Sequence, residues 1–315
     1  MSDIRGSIAQ SLKSRILKYF PDLNIESSVL IDTGWDNYVL IVNRQFVFRF
    51  PKDKDQQPKI LTEINLLSFL NDFPFKIPRY TFIVNKEDIF GGYRIIDGVP
   101  LNSAKRISGS LVNDFVTLFS YMWKIGPTEC SKTEISVYSR ENWLNHEIEL
   151  IRSFSINLSK YIPLDFFNSL EELASDILSD IDEKEIRLIH GDLYRNNVLI
   201  THNMNNISGI IDWSDASIGD IALDLAAVSV DFKLSDIAPI FRSLNSICSS
   251  RIFRRIGFYR VVEPLYRAHY FSRSGETVKA LKISDRIYAS WQDDMEFRNI
   301  YNINDVKDLW HTKQR

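Results

Sequence analysis

Three oxygen-bearing side chains near the centre of the chain are spaced so that they could act together on one metal ion and one hydroxyl group. Asp192 follows an apolar run and the pair His190-Gly191, and Asn197 lies five residues further on. Asp212 follows a later apolar run. Carboxylate and amide oxygens are the ligands that Mg²⁺ prefers, usually one or two from the protein beside water and phosphate oxygens.

A predicted β-hairpin brings these three residues together. The short apolar runs at residues 198–200 and 209–211 flank an asparagine-rich tract at 203–206, which is typical of a turn. The residue before the first strand of a hairpin and the residue after its second strand lie at the same end. We therefore expect Asn197 to lie beside Asp212, with Asp192 on the loop that enters the hairpin.

The order of these residues favours a kinase-like site. His-x-Asp, then Asn, then a second Asp after a hairpin is the order of the catalytic loop and the metal-binding Asp in kinases. Asn197 and Asp212 would bind the metal, which leaves Asp192 to orient or deprotonate a hydroxyl group. Either element alone is weak, because an Asp after a strand is more often a turn residue. Both elements in order make the kinase interpretation the stronger one.

The central segments also resemble a known family. HGDLYRNNVL at residues 190–199 and GIIDWSDASIGDIALDLA at residues 209–226 are similar to the aminoglycoside phosphotransferase family of protein-kinase-like small-molecule kinases. Within that family, the chain is closest in character to aminoglycoside 2''- and macrolide 2'-phosphotransferases. The resemblance implies that Asp192 is the catalytic base and that Asn197 and Asp212 are the metal ligands. It assigns structural roles to Asp220 and Asp224.

The same resemblance implies the fold, the co-substrate and the reaction. The expected fold is α+β and bilobal, with an N-terminal nucleotide-binding lobe at residues 1–97 and a mainly helical catalytic and acceptor-binding lobe at residues 98–315. Mg²⁺ would be the cofactor, and ATP or GTP would donate its γ-phosphate to a hydroxyl group of a small molecule. That acceptor would be an antibiotic of the aminoglycoside or macrolide type, or a related metabolite.

The hydrophobic patterns fit this architecture. Apolar runs predict five antiparallel strands in the N-terminal lobe, and apolar residues at three-to-four spacing predict helices. The predicted strands are 28–31, 38–42, 45–50, 79–84 and 92–96, followed by a turn-rich crossover at 97–100. The predicted helices are 8–20, 57–70, 110–121, 139–154, 164–180, 234–247, 251–271 and 276–291.

An arginine and a glutamate predict an ion pair beside the nucleotide. The strand FVFRF alternates, so that Arg49 faces away from the three phenylalanines and into the predicted cleft. In the kinase fold this position normally carries a Lys, and the planar fork of Arg is not equivalent to an ammonium. Glu63 lies on the apolar stripe of the helix that follows, between Ile60 and Leu67. Since a buried carboxylate needs a partner, we expect Arg49 to pair with Glu63.

Four further residues are candidates for nucleotide binding by resemblance. Gly34 is the single glycine of the loop TGWDN at residues 33–37, which in the family covers the phosphates. Tyr93 falls near the gatekeeper position and is compatible with guanine selection, although a plain core aromatic is an equal alternative. Ile95 and Ile96 would offer backbone groups to a purine.

The acceptor pocket is predicted less sharply. Asp215, Asp231 and Glu263 are acidic residues in the region that shapes the acceptor pocket in the family, and a polycationic antibiotic would need such carboxylates. Four aromatic residues could instead line an apolar pocket suited to a macrolide, and core packing is the default alternative for each. These aromatic residues are Trp143, Trp213, Tyr259 and Tyr266.

Composition excludes several classes of protein. A formal net charge of −3 with no long basic block argues against a nucleic-acid partner. No apolar run approaches the roughly 18 residues of a membrane span, and Cys130 and Cys248 form no CxxC motif. We expect a cytoplasmic protein, monomeric or weakly dimeric, with free thiols and no membrane partner.

Alternative functions differ in what the site does. A protein kinase is excluded, because only eleven residues separate Asp212 from Asp224 and no activation segment fits there. A non-catalytic nucleotide-binding protein stays open, since the loop has one glycine and Arg49 replaces the usual Lys. Within the enzyme class, a metabolic kinase of an amino alcohol or a sugar is the alternative to an antibiotic kinase.

Overall fold

The computed structural model describes residues 2–32, 34, 36–131, 133–230, 232, 234–244 and 251–292 of the 315-residue chain. These residues form β-strands and α-helices in an α+β arrangement. The strands are β1 (Ser28–Ile31), β2 (Asn37–Val42), β3 (Phe46–Pro51), β4 (Tyr80–Asn85), β5 (Ile89–Arg94), β6 (Val99–Pro100), β7 (Ser136–Val137), β8 (Ile186–Ile189), β9 (Val198–Ile200), β10 (Ile207–Ile210) and β11 (Ser217–Asp220). The helices are α1 (Ser2–Tyr19), α2 (Gln57–Phe69), α3 (Gly109–Met122), α4 (Arg140–Leu158), α5 (Leu164–Leu178), α6 (Ala222–Ser229), α7 (Leu234–Ser243), α8 (Ile252–Arg273) and α9 (Thr277–Gln292).

Residues 28–94 contain the predicted antiparallel sheet of five strands, in the order β1-β2-β3-β5-β4. Asn43 and Arg44 join β2 to β3 with φ angles of 53° and 55°. Two consecutive left-handed residues are typical of the tight turn whose twist matches a two-stranded hairpin. The prediction of this sheet is therefore confirmed.

The two faces of β3 serve different purposes. Phe48 and Phe50 are fully buried and pack in one cluster with Leu12 and Ile16 of α1. Arg49 points to the opposite face, where it is only 5% exposed and meets α2. The alternation of the strand thus covers one face of the sheet with α1 and turns a charged side chain towards the rest of the molecule.

The prediction for β5 is wrong in its bounds, because the strand begins at Ile89 and ends at Arg94 rather than at residues 92–96. Glycines obscured the pattern. A Cβ on Gly91 would lie 2.6 Å from the ring of Tyr80, and a Cβ on Gly92 would lie 2.6 Å from the ring of Phe48. Aromatic rings from the neighbouring strands fill the space over this strand, so its own centre carries no side chains and shows no apolar run.

Most of the described chain after β6 is helical. The predicted helices at 110–121, 139–154, 164–180, 251–271 and 276–291 all form, each within a few residues of its expected bounds. Helix α7 ends at Ser243, and residues 245–247 of the predicted helix lie outside the described residues. In the part of the chain that is described, no helix has both the length and the apolar character needed to cross a bilayer. The lobe boundary after Asp97 stays a prediction.

Two elements next to the central motif were missed. Helix α6 is apolar or buried at nearly every position, so it shows no amphipathic period by which a helix is recognised. Strand β11 is four residues long and fully buried, antiparallel to β8 and parallel to β7. Short buried elements of this kind carry little periodic signal.

A buried polar network ties β11 to the helices. Arg255 on α8 is fully buried and donates to Asp220 at 2.8 Å and to Glu185 at 2.9 Å. Tyr259 donates to Asp220 at 3.0 Å and accepts from the Trp143 indole at 2.7 Å. A buried charge needs such partners, so this network fixes the packing of α4 and α8 on the sheet.

The expected aromatic pocket is therefore not formed by most of its candidates. Trp143, Trp213 and Tyr259 are 2%, 1% and 2% exposed and belong to the core. Tyr266 is half-buried at the edge of that core. Cys130 is buried and free, and Cys248 lies outside the described residues.

Glu147 on α4 predicts a specific pH dependence of stability. It is 1% exposed, and its Oε2 atom has no hydrogen-bond partner among the described residues. Burial and the nearby Asp220 carboxylate raise the pKa of Glu147 to about 8. From about pH 4 to pH 8 the folded chain thus holds a proton that the unfolded chain has released, so stability falls as the pH rises.

Glu147→Gln keeps the size of the side chain and removes its charge. We expect the free energy of unfolding of this variant to exceed that of the wild type by about 1–3 kcal/mol at pH 8 and nearly to match it at pH 5. Urea denaturation of both proteins at the two pH values measures the difference. Curves that shift in parallel with pH would show that Glu147 does not change its protonation in the folded protein.

Candidate active site

The loop that carries Asp192 leaves β8 through a glycine that packs on the segment after Asp212. Gly191 adopts a φ of 79°, a conformation that side chains disfavour. A Cβ on Gly191 would lie 2.3 Å from the carbonyl oxygen of Asp215. The middle residue of His-Gly-Asp is a glycine because the backbone of Asp215 leaves no room for a side chain at position 191.

Asp224 and His190 hold this loop in place through hydrogen bonds to its backbone. The fully buried Asp224 carboxylate accepts from the backbone N–H of His190 at 2.7 Å and of Gly191 at 3.0 Å. The Asp192 N–H donates to His190 Nδ1 at 3.2 Å, so Nε2 carries the proton and donates to the Ile211 carbonyl at 3.1 Å. Burial lowers the pKa of His190 to about 4, which keeps the ring neutral at pH 7. His190 and Asp224 are thus structural supports of the loop.

Asn197 contacts Asp192, which lies on the loop that enters the hairpin. Its Nδ2 atom donates to the backbone oxygen of Asp192 at 2.8 Å and to its carboxylate Oδ2 at 2.7 Å. This use of both amide protons turns the side-chain oxygen of Asn197 away from Asp192. Burial and the carboxylates of Asp212 and Asp215 raise the pKa of Asp192 to about 8. The pocket therefore favours a cation near these groups.

The hairpin brings Asp212 to the same place. The Ile211 N–H donates to the Asn197 carbonyl at 2.9 Å, so the chain enters Asp212 directly next to Asn197. Asp212 has a left-handed φ of 66°, which Asp tolerates better than most residues. Its side chain is 41% exposed, so a ligand in the cleft can reach the carboxylate.

Arg49 joins Asp212 to Glu63. Its Nη1 atom donates to both oxygens of Glu63 at 2.8 Å, and its Nη2 atom donates to Asp212 Oδ1 at 2.5 Å. Glu63 is 1% exposed and also accepts from the backbone N–H of Trp213 at 3.3 Å. Partial burial opposes the charge of Asp212, but the Arg49 guanidinium outweighs it and holds the pKa of Asp212 below its ordinary value. The structure thus contains the predicted Arg–Glu pair and extends it to a third residue.

The other nucleotide-side candidates lie around this bridge. Gly34 belongs to the β1–β2 loop (residues 32–36), is exposed, and accepts a hydrogen bond from Lys52 Nζ through its backbone oxygen at 2.5 Å. Tyr93 is 5% exposed and packs edge-to-face on Tyr80 with ring centroids 5.1 Å apart. Tyr93 pairs with Val47 of β3, so its side chain shares the sheet face of Arg49.

The backbone after β5 has one group already in use. The Ile95 N–H donates to the Gln45 carbonyl at 2.7 Å, so this N–H is not the donor for a purine. Of the two backbone groups of Ile95, only the carbonyl oxygen therefore stays a predicted contact to the purine. Ile96 is half-buried, and its side chain covers Gly209, where a Cβ would lie 2.7 Å from the Ile96 methyl group.

The acceptor candidates are only partly brought together. The Asp215 carboxylate pairs with Lys59 Nζ at 3.0 Å, so it meets a cation of this chain. Glu263 lies on α8 near Tyr194, and burial and the carboxylates of Glu263 and Asp192 raise the pKa of the Tyr194 phenol well above its ordinary value. The carboxylates of Glu263 and Asp192 are thus both close enough to the Tyr194 phenol to raise its pKa. Asp231 lies outside the described residues.

Sequence reasoning did not find the positions of Tyr194 and Lys59 beside these acidic residues. Tyr194 is two residues after Asp192 in a loop without periodicity, so nothing in the pattern distinguished it from a surface residue. Lys59 did carry a signal, because it lies four residues before Glu63 and such residues share a helix face.

The donor set fits a hard divalent cation. Asn197 and Asp212 would supply one amide and one carboxylate oxygen, and in the described residues no group of three or more His, Cys, Asp or Glu side chains forms a separate metal site. Mg²⁺ commonly takes one or two protein ligands and completes its octahedron with water and phosphate oxygens. The residues present therefore suit Mg²⁺ held together with a phosphate-bearing ligand.

Comparison with known proteins places the chain in a family. Residues 29–240 match the family model of the phosphotransferase enzyme family, APH. The chain belongs to this family. Viomycin phosphotransferase from Streptomyces vinaceus is 31% identical over 190 residues, which is 58% of this chain and 63% of that protein. The match thus spans less than two thirds of the length of this relative.

Solved structures share the fold over nearly the whole chain. The GDP and kanamycin complex of APH(2")-IIia has a TM-score of 0.75 at 20% identity and covers 90% of this chain and 99% of that chain. The macrolide 2'-phosphotransferase MphH from Brachybacterium faecium has a TM-score of 0.65 at 16% identity, covering 87% and 96%. The predicted kinase-like α+β fold is therefore confirmed.

The bridge through Arg49 predicts a large effect on stability. Arg49→Met leaves Glu63 buried without its cation, so we expect the free energy of unfolding to fall by about 3–5 kcal/mol. Adding Glu63→Gln to that variant removes the uncompensated charge and should recover part of the loss. Chemical denaturation of the wild type, both single variants and the double variant measures this coupling. Additive effects of the two substitutions would contradict a direct ion pair.

Proposed function

We propose that the chain is a small-molecule kinase that transfers the γ-phosphate of ATP or GTP to a hydroxyl group of an antibiotic or a related metabolite. The observation that supports this best is the convergence of Asp192, Asn197, Asp212 and Arg49 on one point. Membership of the phosphotransferase enzyme family supports the same reaction class. As a working cellular setting, we propose the cytoplasm and a monomer or weak dimer.

In the proposed reaction, Asp192 directs the acceptor. Its carboxylate accepts a hydrogen bond from the acceptor hydroxyl and takes the proton as the oxygen attacks. The new bond joins the acceptor oxygen to the γ-phosphorus, and the bond from the γ-phosphorus to the bridging oxygen of the nucleoside diphosphate breaks. Asn197 holds the Asp192 carboxylate in place through its 2.7 Å hydrogen bond. Most of the rate enhancement in such reactions comes from positioning and charge neutralisation.

Asn197 and Asp212 would hold Mg²⁺, which when bound neutralises charge on the phosphate oxygens. Arg49 would donate to the phosphates from the same side, since its guanidinium already reaches the Asp212 carboxylate. Gly34 would let the β1–β2 loop approach the phosphates closely. Glu63 accepts two hydrogen bonds of 2.8 Å from Arg49 and so fixes the direction of the guanidinium.

The base of the nucleotide would lie between the sheet and the segment after β5. The Ile95 carbonyl and the backbone of Ile96 are the proposed contacts, with Tyr93 behind them. A bulky aromatic at this position is compatible with guanine, so both ATP and GTP are proposed co-substrates. Among proteins of the same fold, one solved structure is a GDP complex and another is ADP-bound.

An antibiotic acceptor is the proposal that the relatives favour. The names of the similar proteins refer to viomycin, kanamycin and a macrolide. Asp215, Asp231 and Glu263 are the proposed acidic contacts for an amino group of the acceptor. An amino alcohol or a sugar is the alternative acceptor within the same reaction.

The test is nucleoside diphosphate release with Mg-ATP and Mg-GTP in parallel, across a panel of aminoglycosides, macrolides, peptide antibiotics and hydroxylated metabolites. The Asp192→Asn variant serves as the blank. Acceptor-stimulated release that the variant lacks would support the kinase and identify its substrate class. Nucleotide binding without turnover for any acceptor would instead favour the non-catalytic alternative.

Two substitutions should separate the roles of the two carboxylates. Asp192→Asn should lower the transfer rate by about 10²–10⁴-fold, because it removes the proton acceptor, and should leave Mg-nucleotide binding nearly unchanged. Asp212→Ala should weaken nucleotide binding only when Mg²⁺ is present, because it removes a metal ligand.

Isothermal titration with and without Mg²⁺, followed by single-turnover kinetics, gives both readouts for each variant. Full activity in Asp192→Asn would be incompatible with its role as the base. An unchanged Mg²⁺ effect in Asp212→Ala would exclude that residue as a metal ligand.

A further inference from the structure

One ammonium group links two segments that lie far apart in the sequence. Lys59 Nζ lies 3.1 Å from Asp36 Oδ2 and 3.0 Å from Asp215 Oδ1. Asp36 closes the β1–β2 loop, and Asp215 lies 179 residues later, three residues after Asp212. Lys59 itself belongs to the first turn of α2, the helix that also carries Glu63.

The two partners of Lys59 belong to segments that the proposed function places at the phosphates. The β1–β2 loop contains Gly34, which is the proposed close contact to the phosphates. The backbone of Asp215 packs against Gly191, next to Asp192. A cation that pairs with both carboxylates therefore ties the loop to the segment that carries the catalytic residues.

Other cations hold the same loop in a different way. Lys52 Nζ donates to the backbone oxygens of Asp32 at 3.0 Å and of Gly34 at 2.5 Å. Arg5 of α1 pairs with the Asp32 carboxylate. The Lys52 contacts fix the loop to the end of β3, and the Arg5 pair fixes it to α1. Neither contact reaches the catalytic segment. Lys59 adds the contact across the cleft.

Lys59 also balances the negative charge of Asp36 and Asp215. Two carboxylates next to a triphosphate would repel it at short range, and an ammonium between them cancels much of that repulsion. The Asp215 and Asp36 carboxylates outweigh partial burial and raise the pKa of Lys59, so the group is charged at neutral pH. The same contact thus joins the β1–β2 loop to the Asp215 segment and weakens the repulsion between these two carboxylates and a phosphate.

We infer that Lys59 is a positioning residue, whose ammonium clasps the β1–β2 loop to the Asp215 segment and so holds the loop over the phosphates of the nucleotide. The nucleotide part of this inference rests on the proposed function. The clasp itself is a property of the ligand-free protein.

The first test measures the clasp without any ligand. Hydrogen exchange is compared in the wild type, in Lys59→Met and in Lys54→Met, where Lys54 is an exposed lysine with no ion pair among the described residues. We expect faster exchange in the β1–β2 loop and at Asp215 in Lys59→Met alone, and a melting temperature close to the wild-type value in both variants. Exchange in Lys59→Met that matches Lys54→Met would overturn the clasp.

The second test measures its consequence for nucleotide binding by titration with Mg-ATP and Mg-GTP. We expect Lys59→Met to raise the dissociation constant about 2-fold to 5-fold, because a partly exposed ion pair contributes up to about 1 kcal/mol. Lys59→Arg should restore most of the affinity, and Lys54→Met should bind as the wild type does. Asp36→Asn should add little when combined with Lys59→Met, because both substitutions break the same contact.

Equal affinity in Lys59→Met and the wild type, or additive effects of Lys59→Met and Asp36→Asn, would overturn the positioning role while the proposed function stands. A wild-type protein that binds neither nucleotide would overturn the proposed function, and the hydrogen-exchange result would still decide whether the clasp exists.

Discussion

The guanidinium of Arg49 is the contact on which the arrangement of the site depends. It is buried at 5% exposure and donates to Glu63 on α2 and to Asp212 after the hairpin. A charge that is removed from water must find charged partners, so this one group contacts both α2 and the Asp212 segment from the sheet. Arg suits this task because its planar fork offers donors in several directions and stays protonated at any physiological pH.

Apart from this bridge, neutral groups make the polar contacts to Asp192 and Asp224. In the loop that carries Asp192, backbone N–H groups and neutral side chains donate hydrogen bonds to the acidic side chains. Asp224 accepts two backbone N–H groups, and His190 is neutral and bonded at both ring nitrogens. Asn197 contacts the Asp192 carboxylate with an amide rather than a charge. Burial and the nearby carboxyl groups of Asp212 and Asp215 raise the pKa of Asp192, and this arrangement of carboxyl groups suits a divalent cation.

The sequence was sufficient for the parts of the site that depend on local rules. The hairpin followed from two apolar runs around an asparagine-rich turn, and it placed Asn197 beside Asp212. The pair of Arg49 and Glu63 followed from strand alternation and from a carboxylate on an apolar helix stripe. Both arguments use only neighbouring residues and the cost of burying a charge, so they did not need the tertiary structure.

The parts that depend on packing were not predictable in this way. The bounds of β5 were wrong because rings from other strands occupy the space over its glycines. Helix α6 has no polar face, so its pattern did not show a helix. Trp143 and Tyr259 belong to a buried network with Asp220, which no spacing along the chain reveals. Lys59 meets two carboxylates that lie far apart in sequence, and only the fold brings them together.

The most direct test of this account compares two adjacent asparagines. Asn197 contacts Asp192, whereas the exposed Asn196 bonds to Asn102 at 2.6 Å, outside the proposed metal site. Calorimetric titration of ATP and GTP with and without Mg²⁺ should show binding that Mg²⁺ strengthens in the wild type and in Asn196→Ala, and loss of that Mg²⁺ effect in Asn197→Ala. Binding that is indifferent to Mg²⁺ in the wild type, or an equal loss in both variants, would contradict the account.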